Sequence, residues 1–365
     1  MQRKLIPEDF NINNYTFSLP KSQVAQYPTH NRSKSKLMVL HRSDGSTQED
    51  IFQNIAEYLP SPSLMVLNTT KVFPARLIGN KKETSGKVEF LLLTPLPLIE
   101  PESEEKGYKR AVISGLIKSS GKVRPEQVIR FSPNLFLQVI EKFDFGQVRA
   151  NLYWSGHLPE LLSAIGQVPL PPYIKRSITA SDQKRYQTIY ANDQKSGSVA
   201  APTAGLHFTR QLLDEIQSKN IVCAPINLHV GYGTFSPIRE HDIRDHKIHS
   251  EFFEITSPAA EQIEQARING YPIIAVGTTT VRALETLMEK FGYICPYCGW
   301  TDLYICPGYR FKAVNHLITN FHLPYSSLLL MVSAFVGKDI LLAAYDKAVQ
   351  KHYRFFSYGD VMLIL

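Results

Sequence analysis

Between residues 71 and 154 the chain has six short runs rich in β-branched and aromatic residues and no helical period, which is its strongest constraint on fold. The runs are 73–78, 87–93, 108–117, 128–131, 136–142 and 147–154. Gly79, Gly86, Gly107, Gly121, Pro133 and Gly146 separate them. Six strands without a helix must bury their apolar faces on one another, so the segment reads as a small barrel or sandwich. The acidic stretch 100–105 reads as a solvated excursion from it.

The flanking sequence has a different rhythm. Thr209 is placed to cap a helix through 219, with Leu212, Leu213 and Ile216 on one face, and an apolar run follows at 221–230. Ser257 and Pro258 open a helix that Gly270 closes. Residues 273–276 form a short buried strand ahead of a helix at 280–291. Further helices fit 326–335 and 339–353. Alternating strands and helices define an α/β class, and 1–67 reads as mixed α/β as well. The expected architecture is a large layered α/β domain (1–70 and 155–365) with an inserted small all-β, six-stranded barrel-like domain (71–154).

A chain of 365 residues with 44% hydrophobic and 20% charged residues can build such a core. Four cysteines are too few for a disulfide scaffold at this length and suit a reducing compartment. The N-terminal 14 residues lack the apolar centre of a signal peptide. The apolar stretch 90–99 is broken by Pro95 and Pro97, and 328–336 stops at Lys338 and Asp339. Neither reaches the roughly 20 residues that a bilayer requires, so a cytoplasmic protein without membrane contact is expected. The net charge of +7 suits a polyanionic partner. Basic residues gather at Arg32, Lys34 and Lys36, at Lys81, Lys82 and Lys87, and at Lys118, Lys122 and Arg124.

Several polar turns in the α/β part end apolar runs, where open sheets present ligand sites. Residues 201–208 combine Thr203, Gly205 and a titratable His207. They suit either a ligand approached by backbone or a tight turn with a packed histidine. Residues 229–235 bring His229, Gly231, Gly233, Thr234 and Phe235. The third glycine of a dinucleotide fingerprint is absent, since Ser236 holds its place, so a Rossmann cofactor site is disfavoured. In 245–251, His249 and Glu251 share a face if the segment is a strand, whereas His246 and His249 do so if it is a helix. The turn 277–282 offers Thr278, Thr279, a helix start and Arg282, either as a carboxylate or phosphate cradle or as ordinary capping. Asn320 and His322 precede an apolar helix, and Tyr358 lies in an aromatic stretch, 353–360, that includes Arg354.

Taken in order, these segments resemble the S-adenosylmethionine:tRNA ribosyltransferase-isomerase family. So do 68–77 (NTTKVFPARL), 86–89 (GKVE), 169–174 (PLPPYI) and 185–191 (RYQTIYA). The resemblance runs from the N-terminal third to the last residues. It implies a large α/β domain carrying a small β-barrel. It also implies transfer and isomerisation of the ribosyl part of S-adenosylmethionine onto the 7-aminomethyl group of a 7-deazaguanine in the tRNA anticodon, giving epoxyqueuosine with release of adenine and methionine. S-adenosylmethionine is then a co-substrate, and no prosthetic group is expected. The partners would be tRNA, through its anticodon region, and S-adenosylmethionine, with the enzyme acting as a monomer.

Such chemistry needs a base for the C5′ proton, which the sulfonium acidifies, and an acid for departing adenine. His249 with Glu251, His229, His207 and His322 are the candidates. Thr278, Thr279 and Arg282 suit the methionine carboxylate; Gly231, Gly233 and Thr234 suit the sugar; Tyr358 or Phe235 suits adenine. Thr203, Gly205 and Asn320 complete the substrate site. Phosphates are expected at Arg32, Lys34, Lys36, Lys81, Lys82 and Lys87. The chain departs from the family pattern at Tyr325-Ser326-Ser327 (usually Lys-Ser-Thr), Asn315 (Asp), Ile248 (Met) and Cys306 (Tyr). Cys295 and Cys298 resemble one zinc knuckle, which supplies two of four ligands with Cys306 as a possible third; no metal is expected. The competing readings are a catalytically silent RNA-binding protein and a metal-dependent hydrolase built on His246, His249 and Glu251.

Overall fold

The computed structural model describes residues 6–231, 233 and 237–365. Its larger part is a nine-stranded sheet. From one edge the order is Tyr297–Thr301, Glu251–Ile255, Ile221–Leu228, Ser63–Asn68, Ile273–Val276, His316–Asn320, Val361–Ile364, Lys36–Leu40 and Thr47–Ile51. The four strands from Ile221–Leu228 to His316–Asn320 are parallel. Every residue of Ser63–Asn68 and of Ile273–Val276 is buried. Such unbroken runs are expected where helices cover both faces of a parallel sheet. Alternate residues of Lys36–Leu40 show the two layers. Met38 and Leu40 join the core under helices Ser257–Ile268, Thr278–Phe291, Ser327–Val336 and Lys338–Gln350. Leu37 and Val39 join the opposite core, which holds Phe52 and the helix Arg210–Ser218.

Local chemistry sets the helix starts. Thr209 caps its helix by accepting from the Leu212 amide at 3.2 Å. At 257–268 the N-cap is Thr256 rather than Ser257. The third helix begins at Thr278, two residues earlier than the apolar spacing indicated, because Gly277 takes a positive φ of 91° and turns the chain straight into it. The run expected as a strand through residue 230 ends at Leu228.

The second sheet closes into a six-stranded antiparallel barrel of Arg76–Lys81, Lys87–Leu92, Tyr108–Ser119, Val128–Ser132, Leu135–Lys142 and Gln147–Trp154, with Gln147–Trp154 pairing back onto Tyr108–Ser119. Alternation along each strand fills the interior with residues such as Leu77, Phe90, Ile113, Leu137 and Leu152. Gly115 makes room for this packing, since a Cβ there would lie 2.1 Å from the Phe90 ring. The acidic stretch is not wholly loop: Ser103–Glu105 adds a short edge strand beside Tyr108–Ser119. Among the described residues no single helix is long and apolar enough to cross a membrane.

Candidate active site

At the C-terminal ends of Ile273–Val276 and His316–Asn320 lies a cavity of about 160 Å³. This is where parallel sheets place ligands. Its floor is the start of the helix Thr278–Phe291, where no side chain caps the first turn, so the N–H dipoles there face the cavity. Thr278 and Thr279 line it. The Thr279 hydroxyl is buried with no hydrogen-bond partner, whereas Thr280 turns inward to bond the Val276 carbonyl at 2.8 Å. A buried, unpaired hydroxyl is costly, and here it lies at an electropositive helix end.

One wall is a polar relay. Thr203 Oγ1 donates to Asn320 Oδ1 (2.8 Å), and Asn320 Nδ2 reaches the Asp360 carbonyl (3.4 Å) and His207 Nε2 (3.2 Å). That arrangement leaves His207 Nδ1–H to donate to Ser35 Oγ at 2.8 Å. Thr203 and Asn320 line the cavity; His207 lies behind them. Burial, reinforced by Arg354 and Arg32, lowers His207 to about 3. His322 lines the cavity, with Nε2 2.9 Å from Thr319 Oγ1, and burial lowers it to about 3 as well. His229 is outside the lining, between Thr70 Oγ1 (3.0 Å from Nδ1) and Asn227 Nδ2 (3.3 Å from Nε2), and burial lowers it to about 4. All three imidazoles are therefore neutral at pH 7, not poised near it as the expected proton chemistry required.

The segment at 248–255 is a strand only from Glu251, so the expected shared face of His249 and Glu251 is not formed. His249 is exposed and packs over Gly233, where a Cβ would meet its ring at 2.2 Å. Glu251 is buried, accepts from the Gly231 amide at 2.8 Å and pairs with Arg282. Arg282, also buried, donates to the carbonyls of Leu303 (3.1 Å), His249 (3.3 Å) and Thr301 (3.4 Å). Its guanidinium is thus held by the protein, and what joins His249 to Glu251 is Arg282. Glu251 and Arg282 border a second space of about 10 Å³, which Thr278 and Thr279 also line.

Tyr358, expected against adenine, points away from the cavity: its hydroxyl donates to Asp182 (3.0 Å) and its ring meets Tyr186 edge-on. The aromatic wall consists of Tyr173 and Phe356, with ring centroids 4.0 Å apart, and Ser357 bonds the Tyr173 hydroxyl. Phe356 adopts φ 73°, a left-handed conformation costly for an aromatic residue. Sequence reading missed this pair, although Tyr173 stands in the 169–174 motif and Phe356 and Ser357 share the 353–360 stretch with Tyr358. Gly205 serves packing, because a Cβ would lie 2.0 Å from the Tyr190 hydroxyl. Thr234 and Phe235 lie outside the described residues.

Of the expected phosphate contacts, Lys34, Lys82 and Lys87 are exposed. Lys36 is exposed too, with its ammonium on the Lys351 carbonyl (2.7 Å). Arg32 is half-buried on the carbonyls of Leu206 and Lys184 (both 3.0 Å). Lys81 is a correction: it is buried, and its ammonium donates to the carbonyls of Gly121 (3.3 Å) and Lys122 (2.9 Å). His246 bonds Glu240 at 3.0 Å instead of joining His249 and Glu251. Among the described residues no group of three or more His, Cys, Asp or Glu is arranged to hold a metal ion.

A family profile described as "Queuosine biosynthesis protein" matches residues 12–364. The S-adenosylmethionine:tRNA ribosyltransferase-isomerase of Oleidesulfovibrio alaskensis is 48% identical over 98% of this chain and 94% of its own length. The protein of that name from Caldanaerobacter subterraneus is 47% identical over 96% and 98%. The crystal structure of the S-adenosylmethionine tRNA ribosyltransferase from Thermotoga maritima is similar with a TM-score of 0.53 and 32% identity, covering 96% of this chain and all of that one.

Proposed function

This chain belongs to the queuosine biosynthesis protein family, and from that premise we propose that its cavity binds S-adenosylmethionine as a ribosyl donor for tRNA. The enzyme transfers and isomerises the ribosyl moiety onto the 7-aminomethyl group of 7-aminomethyl-7-deazaguanine in tRNA, giving epoxyqueuosine-tRNA and releasing adenine and methionine. It acts in the cytoplasm as a monomer on the anticodon region, with no prosthetic group.

The observation that carries the donor site is the unpartnered Thr279 hydroxyl at an uncapped helix N-terminus. A carboxylate there would satisfy the hydroxyl, accept from first-turn amides and lie at the positive end of the helix dipole. The methionine carboxylate is therefore assigned to Thr278 and Thr279, and Arg282 stands behind them, holding Glu251. Adenine is assigned to the wall of Tyr173 and Phe356 in place of Tyr358. Among the described residues that line the cavity, His322 is the only imidazole, and no carboxylate lines it. Its neutral ring is assigned to hydrogen-bond the sugar, and with its pKa held at about 3 it is a poor base for the C5′ proton. The Thr203–Asn320–His207 relay fixes the polar wall beside it.

The test is Thr279→Val, which keeps shape while removing the hydroxyl. Losing a hydrogen bond to a charged group of about 1.5–3 kcal/mol should weaken S-adenosylmethionine binding roughly ten- to a hundredfold. A decarboxylated analogue should bind wild type and variant alike. Equal losses for both ligands in calorimetric titrations would remove the carboxylate from this helix end.

A further inference from the structure

The hairpin turn Asp144–Gly146, at the rim of the barrel, holds an aromatic ring out in water. Phe145 is 80% exposed and takes φ 55°, so it carries both a solvated apolar surface and a left-handed backbone. Exposing the ring and holding the left-handed backbone are each unfavourable in themselves. The turn is nonetheless well fixed. The Phe143 amide donates to the Gln147 carbonyl at 2.8 Å, and Gly146 backs so closely onto Tyr108–Ser119 that a Cβ would lie 2.7 Å from the Ile117 carbonyl.

The ring also reaches across to the α/β part. Arg239 lies over it, with its guanidinium carbon 4.0 Å from the ring centroid. Arg239 is two residues beyond Pro237, which lines the donor cavity and bridges to Ser326. The neighbouring Ile238 amide donates to the carbonyl of Tyr325 (2.8 Å), a second exposed aromatic, with φ 60°. Two exposed rings and an arginine therefore border the segment that leads into the cavity.

We propose that Phe145, backed by Arg239, is a stacking platform for an unstacked tRNA base beside the base being modified. This rests on the function proposed above. A 7-deazaguanine can present its aminomethyl group to a buried donor only if the neighbouring loop bases are splayed. Single-stranded RNA bases so displaced are received on aromatic rings and guanidinium planes. A ring with one face on an arginine and the rest in water suits that partner, and the positive charge suits the flanking phosphates.

The experiment compares wild type, Phe145→Ala and Phe145→Trp with an anticodon stem-loop carrying the 7-aminomethyl base. Losing one stacked base should weaken RNA binding by roughly five- to a hundredfold and raise KM for the RNA in Phe145→Ala. Phe145→Trp should restore both. Melting temperature should fall by no more than the loss of one exposed cation–π contact, and S-adenosylmethionine affinity should match wild type. The salt slope of RNA binding should also be unchanged, since no phosphate contact is removed. An unchanged RNA affinity in Phe145→Ala, or a loss that Phe145→Trp fails to restore, would overturn the platform. If wild type itself releases no adenine in the presence of the RNA, the proposed function fails instead.

Discussion

The two sheets bury their residues on opposite terms. Between residues 76 and 154, the barrel region, Lys81 is the one polar or charged residue buried as a whole, and the Asn151 amide oxygen is the one side-chain polar atom shut from solvent without a partner. At the C-terminal end of the large sheet, by contrast, Asn68, Thr70, His207, Asn227, His229, Glu251, Thr278, Thr279, Arg282, Thr319, Asn320 and His322 are all buried. Burying a polar group is unfavourable unless it is paired, so an apolar barrel is the cheap solution and the sheet end is not. Most of those twelve are paired to one another; the Asn227 amide oxygen and the Thr279 hydroxyl are left without partners, and of the two Thr279 lines the cavity. The contrast gathers the buried polar groups at the end of the large sheet and leaves the barrel an almost wholly apolar interior.

The strongest way to break this contrast is to unpair the Glu251–Arg282 ion pair. Either Arg282→Ala or Glu251→Ala strands a buried charge, so each should cost about 3–5 kcal/mol of stability. The double variant Glu251→Gln/Arg282→Met leaves no uncompensated charge and should be less damaged than either single variant. Urea unfolding provides the comparison. Single variants as stable as wild type would mean that the pair is solvated and that Arg282 is available to a ligand after all.

This pair also shows where sequence reading reaches its limit. The barrel was legible because runs of β-branched and aromatic residues and their glycine separators are local. The expected strand at 147–154 is the observed Gln147–Trp154, and the other five differ by a few residues at their ends. The α/β layering was legible from helix caps such as Thr209 and from apolar runs such as Ile273–Val276. Of the residues that line the cavity, Thr203, Thr278, Thr279, Asn320 and His322 were among those expected in the site, because their turns stand at the ends of apolar runs. What failed depends on side-chain direction. Whether Arg282 faces a ligand or Glu251 is decided by residues 31 positions away. Which of Phe356 and Tyr358 faces the cavity is decided by a positive φ that no aromatic residue advertises.

A smaller and pH-dependent effect follows from the neutral imidazoles. Histidine in an unfolded chain titrates near 6.5, whereas burial holds His207 and His322 at about 3 and His229 at about 4. Below about pH 6.5 the unfolded state takes up protons that the folded state refuses, so stability should fall as the pH is lowered. Each histidine adds a slope of about 1.4 kcal/mol per pH unit until its own folded value is approached. Unfolding free energies at pH 7, 6 and 5 should show this decline, and His229→Gln should flatten it by one histidine's share. A flat profile between pH 7 and 5 would mean that these rings are protonated in the folded protein.

The smallest expected effect sharpens the contrast from the barrel side, where three neighbouring lysines have different surroundings. Lys82 and Lys87 are exposed, while Lys81 holds the carbonyls of Gly121 and Lys122 from a buried position. A lysine that meets phosphate releases condensed counterions, so removing it lowers the salt slope of tRNA binding by roughly 0.7–0.9 per contact. A lysine that fastens a loop contributes to stability and releases no counterion. Lys82→Ala and Lys87→Ala should thus reduce the slope with little change in melting temperature, whereas Lys81→Ala should lower the melting temperature and leave the slope unchanged. Binding titrations from 50 to 200 mM salt, paired with thermal melts, separate the two roles. If Lys81→Ala changed the slope while Lys82→Ala and Lys87→Ala did not, the buried lysine would be the phosphate contact, and the loop around Gly121 would have to open when tRNA binds.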